Sequence, residues 1–173
     1  MALRVQSETH IEVHNFHPFV VLGAAFLALF VQALLPKYFP RAGEWLELPL
    51  LVTLYFGLSR RNPATGLLLG TAIGLLQDAI SGGFIGLFGI AKTIVGYGAS
   101  SIGARLDVEH PISRVVLTFL FFHIHQIVLA LSHRLLIGEA APFFSLTLLL
   151  ASFINAAIAL VLFPMLDRLR KGR

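Results

Sequence analysis

Apolar runs fill most of the chain, and short polar clusters cut them into six segments at about 18–35, 45–59, 64–80, 84–103, 112–137 and 143–166. Proline, glycine or charge marks each break: Pro36-Lys37, Arg60-Arg61-Asn62-Pro63, Ser81-Gly82-Gly83, the loop 104–111 and the turn 138–142. A helix needs about 20 apolar residues to cross a hydrocarbon core of roughly 30 Å. The run 45–59 falls short of that and opens with Glu47 and Pro49. It either starts among the headgroups or is tilted and shielded by its neighbours. Trp45 is placed to anchor its start at the interface. The pattern predicts an all-α, polytopic membrane protein, a six-helix transmembrane bundle forming one domain over 1–173, since no connection is long enough to fold alone. Ala24 and Ala28 in the first run have small-xxx-small spacing and read as ordinary lipid-facing alanines.

The stretch 65–103 organises the rest. It predicts two helices joined by a tight turn at Ser81-Gly82-Gly83. At about 100° per residue, Gly66, Gly70, Gly74, Gln77 and Ser81 share one narrow face of the first helix. Gly89, Lys92, Gly96, Ser100 and Gly103 share one face of the second. Faces this bare let backbones approach closely, the usual device of membrane helix packing. Gly82, Gly83 and Gly86 are grouped with the same packing set. Two ionisable residues, Asp78 and Lys92, stand inside the hairpin, where a charge is costly unless it is paired, snorkels or lines a cavity. They read either as a structural ion pair fixing the hairpin register or as a polar pocket for a ligand or a partner's acidic group.

Composition agrees with a bilayer. Of 173 residues, 57% are hydrophobic and 13% charged, half the charge of a soluble domain, and mean hydropathy is +0.83. The net charge of +4 does not indicate nucleic acid, because the basic residues are scattered through short loops. They do orient the chain. Arg4, Arg60, Arg61, Arg105, Arg114, Arg168, Arg170, Lys171 and Arg173 fall on one side, and Lys37, Arg41 and Arg134 on the other. The positive-inside rule then places both termini in the cytoplasm, in a multi-pass protein of the plasma membrane. The stretch before Pro18 is polar, with Glu8, Glu12 and three histidines, unlike a cleavable signal. With no cysteine, thiol chemistry and cysteine metal sites are excluded.

The fifth run carries His123, His125, Gln126, Ser132 and His133. His123, Gln126 and His133 share a face with Ala130, and His125 and Ser132 lie roughly opposite. A helical metal site would place histidines at i and i+4, so interhelical hydrogen bonds, to Asn155 or Gln77, are the expected role. These five polar groups, Asp78, Lys92, His123, Gln126 and His133, include the candidate relay groups of a proton pathway, but the chain shows no inverted repeat or discontinuous helix. Gly98-Ala99-Ser100-Ser101 resembles the serine motif of rhomboid proteases. Its last position is serine instead of glycine, however, and no histidine-bearing helix of that type accompanies it. No catalytic residue, metal site or cofactor is expected.

The stretch from Leu48 to about Asp107 resembles the rod shape-determining protein MreD family. The marks are the charged turn Arg60-Arg61, then Gly66, Gly70, Gly74 and Asp78, and the turn Ser81-Gly82-Gly83 with Gly86. The resemblance implies a non-enzymatic scaffold subunit of the bacterial rod (elongation) complex in the inner membrane. Its implied partners are MreC, and RodA and a penicillin-binding transpeptidase acting in peptidoglycan synthesis under the MreB filament, with membrane lipids around it. It also implies a fold similar to the substrate-binding subunits of energy-coupling-factor vitamin transporters. Serving as such a subunit is the alternative function, with its ligand near Asp78 and Lys92.

Overall fold

The computed structural model describes residues 16–105, 108, 110–139 and 141–170. Arg4, Glu8, Glu12, Asp107, Glu109, Lys171 and Arg173 lie outside them. The described chain is all-α. It comprises α1 (Pro18–Tyr38), a single turn α2 (Ala42–Trp45), α3 (Leu48–Arg60), α4 (Pro63–Ser81), α5 (Leu87–Gly103), α6 (Pro111–Ser132) running on through a π-helical turn (His133–Ile137), and α7 (Leu146–Asp167). Four of the six long helices, α1, α4, α6 with its π turn, and α7, are long and apolar enough to cross a membrane.

Helix starts follow a shared chemistry. Pro18, Pro49, Pro63 and Pro111 each sit in the first turn of a helix, where the missing N–H is no loss. Asn62 caps α4 by accepting from the N–H groups of Ala64 and Thr65, and Ser145 caps α7 through Leu148 N–H. Arg61 closes α3 in the left-handed region at φ 55°, so the Arg-Arg-Asn-Pro run ends one helix and starts the next within two residues. Pro36 does not end the first helix as its position suggested. It lies within the last turn, where it forfeits a single backbone bond, and α1 continues to Tyr38.

The second run is divided by a break after Trp45, and α3 is the centre of the bundle. Every residue from Pro49 to Ser59 is buried. The helix is short because neighbours, not lipid, surround it, and of the two readings of this segment shielding is the one observed. α1 packs against it antiparallel, with Phe16 edge-on to Tyr55 and Phe56. α7 runs parallel to it, with Phe163 on Tyr55. Ala28 is buried and Ala24 packs on the core, so this pair faces the bundle instead of lipid.

The glycine faces of α4 and α5 meet as the spacing predicts, in antiparallel register. A Cβ at Gly66 would collide with Ser100 and the Gly96 carbonyl, one at Gly70 with the Lys92 carbonyl, and one at Gly74 with Phe88 and Gly89 backbone. Gly103 abuts the backbone of Leu58 in α3 instead. Gly82, Gly83 and Gly86 do not belong to this packing set. A Cβ at Gly82 or Gly86 would meet nothing, and one at Gly83 would make only ordinary contact with Ser81. Gly82 and Gly86 serve the turn through φ of 67° and 108°, values that side-chain-bearing residues rarely adopt.

Gly70→Leu is expected to abolish the folded, monodisperse protein in detergent, because the added side chain has only backbone to displace. Gly23→Leu, on the open face of α1, is expected to leave the melting temperature unchanged. Size-exclusion profiles and thermal melts of the two variants check this, and a well-folded Gly70→Leu would disprove the backbone-to-backbone seam.

Candidate functional site

Between α2 and α3 the chain leaves the helix for Leu46 and Glu47, and this joint is buried at Glu47 and half-buried at Trp45, Leu46 and Leu48. Backbone polar groups released there have lost their helical partners, and side chains meet them. Two amides do so from opposite sides. Gln32 of α1 donates to Leu46 O at 2.8 Å and accepts from Leu48 N–H at 3.0 Å. Asn155 of α7 accepts from Glu47 N–H at 3.0 Å and donates to Trp45 O at 2.8 Å.

The Glu47 side chain then points into the core, 8% exposed. Its Oε2 receives Lys92 Nζ of α5 at 3.0 Å, and its Oε1 receives the Gln77 amide of α4 at 3.0 Å. Lys92, wholly buried, lies 3.3 Å from His125 Nε2 of α6 and 4.6 Å above the Phe88 ring. An ammonium has donors only, so His125 accepts at Nε2 and carries its proton on Nδ1, which has no partner among the described residues. Side chains from α1, α4, α5, α6 and α7 thus converge on one joint.

Asp78 does not pair with Lys92. Its carboxylate accepts from the backbone N–H groups of Gly86, Phe88 and Gly89 at 2.9, 3.0 and 3.0 Å. It caps the start of α5 from the preceding helix, where unpaired N–H groups and the helix dipole both favour an anion. The register of the hairpin is fixed by this cap, and the lysine's counter-ion is Glu47. Asp78 is the nearer acid in sequence, yet Lys92 reaches across the bundle to Glu47, 45 residues away.

The polar face of α6 is also the other one. His125 and Ser132 are buried, whereas His123, Gln126 and His133 are only partly so. His123 Nδ1 lies 3.0 Å from Phe119 O in its own helix, and His133 lies 3.9 Å from Glu139. Asn155 and Gln77, named as partners for these histidines, serve the α2–α3 joint instead. Glu47 is the residue the sequence reading passed over as a headgroup-level acid. One acid in an apolar run, matched by one lysine in another, was the available signal. Ser100 is wholly buried in the α4–α5 seam against Gly66, and its hydroxyl has no hydrogen-bond partner among the described residues, so no base stands beside it. Among the described residues no group of three or more His, Asp and Glu could hold a metal ion.

At the opposite end Asp167 of α7 accepts from Tyr55 at 2.8 Å and Arg114 at 2.7 Å, with Arg170 on the same carboxylate at 2.6 Å. Arg114 also donates to Val108 O. This second polar knot joins α3, α6 and α7, so the bundle is pinned at both ends.

Glu47→Gln is expected to destabilise the protein by about 3–5 kcal/mol, the usual cost of leaving one buried charge without its partner. The double variant Glu47→Gln/Lys92→Met should recover part of that loss. Equilibrium unfolding in mixed micelles measures both. Additive effects of the two substitutions would refute a paired interaction.

No curated protein and no solved structure matches the chain. A likeness to vitamin-transporter subunits therefore rests on the resemblance alone. Residues 13–171 match the family described as MreD, rod shape-determining protein MreD. That description names a role in cell shape and no reaction. Covering nearly the whole chain, the match shows that this protein is a member of the MreD family.

Proposed function

We propose that the protein is a non-enzymatic scaffold subunit of the rod complex, binding MreC within the inner membrane and supporting regulation of peptidoglycan synthesis by RodA and its penicillin-binding transpeptidase along MreB. The observation that carries this reading is the family match over residues 13–171. The interior supports it. Glu47, Lys92, Asp78 and Asn155 are committed to holding the bundle together, which suits a body that presents helix faces to others. Phe19, Leu22, Phe26 and Phe30 leave α1 with an exposed apolar side, available to lipid and to partner helices alike. The basic residues support cytoplasmic termini, with α2 and the Gly82–Gly86 turn at the outer face.

Co-expression with MreC and purification in a gentle detergent, followed by mass spectrometry, should recover the two proteins together. Recovery of transporter ATPases or a stoichiometric vitamin in place of MreC would replace this reading with that of a transporter's substrate-binding subunit.

Orientation has its own test, helped by the absence of native cysteine. In whole cells with a permeable outer layer, Lys37→Cys should react with a membrane-impermeant maleimide, and Arg168→Cys only after lysis. The reverse pattern would invert the topology.

A further inference from the structure

Halfway along α6 a histidine meets the outside of the bundle. With its π turn the helix runs 27 residues from Pro111 to Ile137, and His123 lies about 18–21 Å of rise from its ends. The residue therefore stands near the middle of a hydrocarbon core of roughly 30 Å. Its ring lies 4.6 Å from that of Phe119 and 6.5 Å from that of Phe144. Around it Leu120, Phe144 and Phe153, the last packed on Phe119, are exposed at 46%, 73% and 58%.

The hydrogen bonds of this ring are half made. Nδ1 lies 3.0 Å from Phe119 O, and a carbonyl only accepts, so the Nδ1 proton is donated there. A second proton, on Nε2, would put a full charge at the costliest depth of the bilayer. No acid among the described residues pairs with it there. Nε2 is thus an acceptor. It receives no hydrogen bond from any described residue, and unlike His125 Nδ1 it is not sealed inside the protein. A cavity of about 520 Å³ between α2, α6 and α7 reaches Gln126, one turn along, but His123 does not line it. That cavity therefore brings no water to this nitrogen.

Depth selects the donor. Water and lipid headgroups lie beyond the hydrocarbon on either side, and acyl chains carry no N–H or O–H. A donor at this level comes from another membrane helix, and histidine is among the side chains that join such helices by hydrogen bonds. We propose that the α6 surface around His123 is a docking site for a partner protein's transmembrane helix that carries a hydroxyl or indole donor near its middle. A second copy of this chain, meeting it about a two-fold axis at His123, would set acceptor against acceptor. The exposed side of α1 is equally apolar, but its Phe19, Leu22, Phe26 and Phe30 carry no hydrogen-bonding group. The docking site deepens the scaffold reading above and rests on it.

With MreC co-expressed, a photoreactive benzoylphenylalanine in place of Leu120 should cross-link to MreC, and one in place of Phe26 should not. His123→Leu suits a lipid-facing position and should keep the wild-type melting temperature. It should weaken capture of MreC roughly threefold to twentyfold, the worth of one interhelical hydrogen bond. His123→Gln, whose side-chain oxygen again accepts, should restore most of that loss. Equal capture by the wild type and His123→Leu would overturn the docking site and leave the scaffold reading standing. Cross-links from position 26 instead of 120, or from 120 to a second copy of this chain, would do the same. A wild-type protein that captures no MreC would overturn the scaffold reading, and the docking site with it.

Discussion

A polypeptide that stops being helical within a packed bundle must find partners for the backbone groups it releases, and the joint at Leu46-Glu47 imposes that requirement on the whole molecule. Gln32 and Asn155 satisfy the backbone from α1 and α7, and each does so with both ends of its amide. Amides suit this work because each offers a donor and an acceptor on one short stem. Glu47, fixed by those contacts, supplies the counter-ion without which Lys92 could not be buried. The ion pair and the broken backbone are thus one arrangement seen from two sides.

The α4–α5 seam gives that arrangement its geometry. Lys92 contributes twice: its carbonyl lies against Gly70 in the seam, and its side chain reaches Glu47 in the core. Backbone packed on backbone leaves little latitude for sliding, since every displacement meets a carbonyl or a Cα instead of an adaptable side chain. The Asp78 cap ties the two helices at their turn. The charged side chain is therefore aimed by a rigid pair of helices, and its position does not depend on the loops.

The outline of this fold was legible in the sequence, and the pairing of its polar residues was not. Glycine spacing identified the seam because a helix face without side chains has one simple use. Proline positions located the starts of α4 and α6 for equally local reasons, whereas α3 begins at Leu48, after a break that the run from Trp45 did not reveal. The partner of Lys92 was not local. Asp78 lies nearer along the chain, yet three N–H groups hold it, and Glu47 reaches the lysine only because α3 stands at the centre of the bundle. Likewise, periodicity groups the polar residues of α6 into faces without revealing which face turns inward. His125 turned out to be the inward one, whereas His123 and His133 carry more of the visible polarity. Ala28 was misjudged for the same reason, since an alanine signals close packing only once its neighbour is known.

The separation of these partners along the chain has a consequence for how the protein is made. Glu47 emerges from the ribosome 45 residues before Lys92 and 108 before the position that tracks back to it from α7. At about 5–20 residues per second, the first interval lasts roughly 2–9 s. Throughout it the acid has no counter-ion, and the short helix that follows it has none of the later neighbours that enclose it in the finished bundle. Insertion of this segment is therefore costlier before α5 has been made than after it. That cost is relieved only when α5 brings Lys92 to the acid, so the order in which the helices are made bears on the route to the finished bundle.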